Sequence, residues 1–326
     1  KLQTKQDFNY RVLVFKRTQK TSNVENTIVY PGGVLSKYDE SPEWMNFFKQ
    51  NQISEARIDE ITNVNKPRSF MFDSGKVENT INRNISLKLT ALRETFEELG
   101  LFLNTTNIKS DNLFSSVANN FNINQWQREI CQKEKHFIDL CRTENIIPNL
   151  WNIYEWSCWL TPTVKRPKRF ETVFYIVALN EEPKIYPEIN EVESFYWQTP
   201  NQILSDYYSR KIFLNPPQIY EFSRLSHVFD IDKLIKFAHD RSKNYGSTLY
   251  FPVQYQCKDG FVHILPGDDM YPKTPNYNSA NEDYESFNDC TVEKLRQNVK
   301  NLHRGEYTNR YDIKFIQNIP SLDNHL

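Results

Sequence analysis

The stretch Thr90–Leu101, TALRETFEELGL, sets three glutamates and an arginine into a helical apolar pattern. With Glu94 at zero and an advance of about 100° per residue, Glu97 falls near −60° and Glu98 near +40°. Three carboxylates therefore share one face. Ile85, Leu89, Leu92, Phe96 and Leu99 gather on the opposite face, and Gly100 stands where a left-handed C-terminal cap is wanted. One side of this helix is expected in a core, while the other presents three like charges within one turn. In water such charges repel by a few tenths of a kcal/mol per pair. A hard divalent cation reverses that sign. Read alone, the segment admits both a solvated acidic face and a metal site.

The surrounding chain bounds the answer. It has 326 residues, 40 Lys+Arg against 41 Asp+Glu, 39% hydrophobic and 14% aromatic residues. That is the composition of a folded globular protein with room for a substantial core. With no basic excess, a nucleic-acid partner is not expected. The five cysteines form no C-x-x-C pair and read as free thiols of a reducing compartment. The longest apolar runs, such as Val173–Leu179, are too short for a membrane span. No signal-peptide pattern opens the chain, which begins at Lys1 without a methionine.

Strands are expected at Arg11–Arg17, around Ile28, at WSCWLTP, ETVFYIVALN and SFYWQTP, in LYFPVQYQCKDGFVHILP, and at YDIKFIQ. Helices are expected from Ser41 (as N-cap, with Pro42 in the first turn), at 125–144, 200–209, 217–237 and 291–303. This interleaving argues for a layered α/β or α+β fold.

PGG at Pro31–Gly33 and RETFEELGL at Arg93–Leu101 resemble the two ends of the Nudix box, G-x5-E-x7-R-E-U-x-E-E-x-G-U, where U is apolar. Arg93, Glu94, Glu97, Glu98, Gly100 and Leu101 match, and Thr95 occupies the first U. Two features depart from the box. Gly33 and Arg93 stand 60 positions apart, where the box keeps about 14. Ile85 stands where the first glutamate is usual. A box split in this way, together with WLTP, KRFETVFY, LNPPQIYEFSRL and GFVHILPGDDMY, resembles the coenzyme A diphosphatase branch of the Nudix hydrolases, the Nudix hydrolase 19 type. Upstream, Leu13, Arg17, Pro31, Gly32 and Gly33 match the coenzyme A motif L-L-T-x-R-[SA]-x3-R-x3-G-x3-F-P-G-G, with Tyr30 at its aromatic position. Ser22 and Asn26 depart from it.

The resemblance implies a Nudix α/β/α sandwich with a mixed β-sheet over residues 8–265. An insertion at 36–84 would interrupt the box, and an extension at 266–326 would pack on the domain. It implies divalent-metal-dependent hydrolysis of coenzyme A and acyl-coenzyme A to 3′,5′-ADP and (acyl-)4′-phosphopantetheine. The alternatives are another nucleoside diphosphate substrate (capped RNA, ADP-ribose, NADH) or a binding module without turnover. Glu94, Glu97 and Glu98 would hold Mg²⁺ or Mn²⁺, with Gly33 as a further ligand, and Arg93 would orient a glutamate through a salt bridge. Arg17, Lys168, Arg169, Gly32 and Gly33 would contact substrate, the basic pair being aimed at the 3′-phosphate. A further acid is expected at Glu191 or Glu193. The tryptophans at 151, 156 and 159 and His263 are expected to be structural.

The insertion enters next to the glutamate helix and is expected to cover an acyl pocket. The last three residues, Asn324, His325 and Leu326, resemble the peroxisomal S-K-L address. By that resemblance, and with Asn324 departing from the small residue preferred first, the protein is expected in the peroxisome through its import receptor, with mitochondrion or cytoplasm as alternatives. Monomer and homodimer remain equally open.

Overall fold

A computed structural model describes residues 7–20, 24–63, 69–72, 78–105, 112–162, 169–277, 286–309 and 312–320. Lys168 and the terminal Asn324, His325 and Leu326 lie outside the described residues.

The chain opens with β1 (Val12–Arg17) and β2 (Ile28–Val29), then α1 (Glu43–Gln50), α2 (Glu55–Thr62) and a 3-10 turn at Phe70–Phe72. There follow α3 (Arg83–Leu99), β3 (Phe102–Asn104), β4 (Ser116–Ala118), α4 (Ile123–Cys131), α5 (Phe137–Thr143), β5 (Tyr154–Leu160), β6 (Glu171–Ile176) and β7 (Val192–Gln198). Three helices come next, α6 (Pro200–Tyr208), α7 (Pro216–Leu225) and α8 (Ile231–Asn244). The C-terminal part holds β8 (Leu249–Tyr250), β9 (Val253–Cys257), β10 (Gly260–Ile264), β11 (Ser286–Phe287), α9 (Val292–Gln297), β12 (His303–Tyr307) and β13 (Ile313–Gln317).

The α/β class is as expected, with the strands of the described residues grouped in four sheets. Their orders are β2-β1-β7, β6-β5-β8, β3-β4 and β11-β9-β10-β12-β13. β5 is buried along its whole length, because both faces of its sheet are covered. Phe174 and Ile176 of β6, with Tyr154 and Trp156 of β5, pack toward Ile219, Phe222, Leu234 and Ala238 of α7 and α8. Val173, Tyr175 and Val177 turn toward the layer that contains α3. The C-terminal sheet joins the same core through Tyr307 and Ile313.

Three expected helices are shorter or divided. The 125–144 segment breaks into α4 and α5 at Lys133, which takes a left-handed conformation (φ 62°). The 217–237 segment breaks before Asp230, whose side chain accepts from the Lys233 amide and starts α8 afresh. The last helix ends at Gln297, and His303 already begins β12. At α1 the capping residue is Pro42, and the Ser41 hydroxyl accepts from the Glu43 amide one position inside it.

α1 and α2 lie behind α3, and this corrects the expected position of the insertion. Trp44, Phe47, Phe48, Ile58 and Ile61 bury against Ile85, Leu89, Leu92 and Phe96, the face opposite Glu94. Two apolar stripes bury each other, so these helices are core and do not cover the glutamates. Tyr38 fixes the entry to α1 by stacking on His136 (centroids 3.5 Å) and by accepting the Trp44 indole N–H at 3.0 Å. The Phe70–Phe72 turn reaches toward the glutamate side, packing beside Leu87.

Trp44→Ala should therefore lower unfolding free energy by about 3–5 kcal/mol, measured by denaturant titration. A loss below about 1 kcal/mol would mark the insertion as a detachable cover.

Candidate active site

The Asn82 side chain starts α3 by accepting from the Asn84 amide, and Gly100 ends it at φ 66°. Between these caps the 3.6-residue period turns Glu94, Glu97 and Glu98 away from the core. Arg93, 9% exposed, organises two of them. Its Nη1 lies 2.8 Å from Glu94 Oε1 and 3.0 Å from Glu97 Oε1. Its Nε donates to Asp39 Oδ1 at 3.0 Å, and its Nη2 donates to Asp39 Oδ2 and the Val34 carbonyl, both at 2.9 Å. Asp39 is 1% exposed and also accepts from the Thr90 hydroxyl (2.9 Å) and the Ser36 amide (3.1 Å). Every face of the guanidinium thus meets an acceptor, the arrangement a buried arginine requires. Burial works against its charge, yet Asp39, Glu94 and Glu97 together hold its pKa above the ordinary value.

Glu98 stands apart from that network. It is 2% exposed, and its Oε2 accepts from the Gly32 amide at 2.8 Å. Burial pushes its pKa from 4.5 up to about 8; the Gly32 bond and the Arg17 charge pull it down, while Glu94 and Glu191 push it further up. Glu94 and Glu97 are also raised, again by burial first, with Arg93 opposing. The two glycines make this closeness possible. Gly32 adopts φ 152°, and a Cβ on Gly33 would sit 2.3 Å from the Glu94 carboxyl carbon.

Arg17, the last residue of β1, sends its charge toward Glu98, and its buried Nε has no hydrogen-bond partner among the described residues. Glu191 feeds negative charge to Glu97 and Glu98. Glu193 instead pairs with Lys16 at 2.6 Å, so Glu191 is the acid brought to the cluster. Arg169 is exposed; its Nε donates to the Thr161 carbonyl at 3.1 Å, and its guanidinium lies over Phe251. Among the described residues its contacts are these two, and none is with the glutamates. The indoles of Trp156 and Trp159 donate to the buried Glu221, and His263 lies between Gln254 and Tyr307. These three serve the core, and Trp151 packs against the α3 core with its indole donating to the Arg57 carbonyl at 2.9 Å. The five cysteines form no disulfide.

Sequence reasoning missed Asp39, the residue on which Arg93 depends. It lies in a polar stretch between Gly33 and α1 with Glu40 beside it, and no local pattern separates the buried acid from the other.

The donor set suits a hard divalent cation. It consists of carboxylates, desolvated enough to raise their pKa, with a backbone made close by glycine. In the rotamers seen, Glu94 and Glu97 are committed to Arg93, and among the described residues no three acidic, His or Cys side chains converge on one point. Among the described residues no helix is long and apolar enough to cross a membrane.

A family model described as the NUDT19 Nudix domain matches residues 1–225, and one described as the NUDT19 C-terminal domain matches residues 254–318. A Xenopus laevis protein named acyl-coenzyme A diphosphatase NUDT19 is 36% identical, over 91% of this chain and 80% of its own length. The Homo sapiens protein of that name is 28% identical over 80% of this chain and 72% of its own. A solved Nudix hydrolase from Alicyclobacillus acidocaldarius overlays with a TM-score of 0.48 at 18% identity, covering 69% of this chain and 87% of that one.

Removing Asp39 leaves the buried Nε of Arg93 without its acceptor, so Asp39→Ala should cost about 1–3 kcal/mol of stability; a loss under about 0.5 kcal/mol would show that Arg93 does not depend on it. Glu98 also sets a pH slope. Its folded pKa of about 8 exceeds the ordinary 4.5, so its contribution is full below pH 4.5 and is lost as pH rises to about 8. With chelator present, denaturant titrations at pH 5.5, 7 and 8.5 should show stability falling across this window, and Glu98→Gln should flatten the fall. An unchanged slope in the variant would assign it elsewhere.

Proposed function

Since the chain belongs to the Nudix hydrolases of the NUDT19 type, we propose that it hydrolyses the diphosphate of coenzyme A and acyl-coenzyme A to 3′,5′-ADP and (acyl-)4′-phosphopantetheine. The observation that carries this reading is the complete acid face of α3, with Glu94, Glu97 and Glu98 retained and Arg93 anchored beneath them, in a relative of proteins named for this activity. A module kept only for binding has no need of three desolvated carboxylates, which repel one another when no cation is present.

Glu94, Glu97 and Glu98, with Gly33 beside them, are the residues that would hold Mg²⁺ or Mn²⁺. Bound there, the ion would neutralise the diphosphate and lower the pKa of a coordinated water. The remaining work belongs to the chain itself. Arg93 keeps Glu94 and Glu97 on the substrate side, so little reorganisation is left for the reaction. Arg17 offers a charged donor to a phosphate oxygen beside Glu98. A carboxylate oxygen of Glu94 takes the proton of the attacking water. The water oxygen bonds to one phosphorus, the bridging P–O bond breaks, and its electron pair leaves with the other phosphate.

The test is a mass-resolved product assay with Mg²⁺ on coenzyme A, several acyl-coenzyme A esters, ADP-ribose, NADH and capped RNA. The expected products are 3′,5′-ADP and the phosphopantetheines, with the rate reduced about 100-fold or more in Glu97→Gln. Preferential cleavage of ADP-ribose, NADH or capped RNA would contradict the substrate assignment, and coenzyme A binding without turnover would contradict the enzyme.

A further inference from the structure

The glutamate face of α3 does not end at the glutamates. Leu87, Ala91, Glu94 and Glu98 lie within about 60° of one another around the axis. Leu87, Ala91 and Glu94 are half-buried, whereas Ile85, Leu89, Leu92 and Phe96 on the opposite face are sealed in the core. A half-open track therefore runs toward the N-terminus of α3. From Glu98 to Leu87 it covers about 16 Å at 1.5 Å per residue.

At Leu87 the surroundings become apolar. Met71 and Phe72 of the insertion and Cys158 of β5 form a buried cluster, with Leu87, Val173 and Leu249 packed around it. Leu249 also lines an open cavity of about 520 Å³, whose wall includes Tyr271, Pro272, Pro275 and Tyr277 together with the charged Asp268 and Lys273. That volume is in the range of small-molecule sites. On its rim sits Phe70, a large aromatic left 43% exposed, its ring centroid 5.3 Å from that of Tyr277.

We infer that this cavity takes the acyl chain of the substrate, with the pantetheine arm laid along Glu94, Ala91 and Leu87 and the Phe70–Phe72 turn closing one side of the acyl site. The inference rests on the diphosphatase reading above and adds the residues that select the chain. Length carries the argument. Thirteen bonds separate phosphorus from sulfur in phosphopantetheine, about 16 Å when extended at roughly 1.2 Å per bond. A diphosphate held at Glu98 thus delivers the thioester to Leu87, and the chain beyond it enters at Leu249. The ADP half cannot make this journey, since its 3′-phosphate is only six bonds, about 7 Å, from the 5′-phosphorus. Arg169, over Phe251 and near Tyr277, accordingly lies on the acyl side of the molecule, out of reach of that 3′-phosphate. The insertion contributes to chain selection through Phe70–Phe72, and α1 and α2 take no part.

The test is the ratio of kcat/KM for lauroyl-coenzyme A to that for unacylated coenzyme A, in wild type and in Leu249→Trp, Phe70→Ser and Tyr277→Ala. Leu249→Trp blocks the entrance and should lower the ratio about tenfold or more; the other two should lower it several-fold. Phe70 is exposed and Tyr277 half-buried, so these two variants decide the matter if the tryptophan variant fails to fold. Ratios within twofold of wild type in folded variants would overturn the acyl site while leaving the diphosphatase intact. A wild-type protein that releases 3′,5′-ADP from no coenzyme A species would remove the parent reading, and this inference with it.

Discussion

A single guanidinium holds the site together. Arg93 is tied below to the buried Asp39 and above to Glu94 and Glu97. Three carboxylates around one arginine leave an excess of negative charge in a poorly solvated place, and Glu98 adds a fourth acid that burial keeps near its protonated form. The cluster tolerates this because Arg93 is fully hydrogen-bonded and Gly32 donates to Glu98. A cation bound there would offset repulsion already present. Proton and metal would compete for the same oxygens, which would couple metal affinity to pH.

α3 connects that electrostatic arrangement to the fold. Its apolar face needed a partner, and the insertion provides one through Trp44, Phe47 and Phe48. The same insertion supplies Asp39 on its way in and Phe70–Phe72 on its way out. A segment that interrupts the motif in sequence thus completes it in space, buttressing the helix from behind, anchoring its arginine, and reaching round to the open side.

The glutamate face was legible from the sequence because it rests on local rules: a helical period, a left-handed cap at Gly100, and six motif positions in register. The strands β1, β5, β6 and β7 were legible from alternation and β-branched content. Tertiary facts were not. Which of Glu191 and Glu193 serves the site depends on β7 lying beside β1, where Lys16 takes up Glu193. The position of α1 behind α3 depends on which exposed stripe happened to be free. The Asp39–Arg93 pair spans 54 residues, and neither end announces the other. Arg169 is basic and sits in a family-like stretch, yet its contacts among the described residues are with Thr161 and Phe251.

The central claim of the proposed function is that Glu94 and Glu97, here paired with Arg93, would join Glu98 on a divalent ion. Anomalous diffraction from crystals grown with Mn²⁺ tests this most directly. The account predicts manganese among the carboxylates of Glu94, Glu97 and Glu98, with Arg93 still on Asp39. Manganese bound elsewhere, with Glu94 and Glu97 still on Arg93 in crystals of active protein, would contradict it.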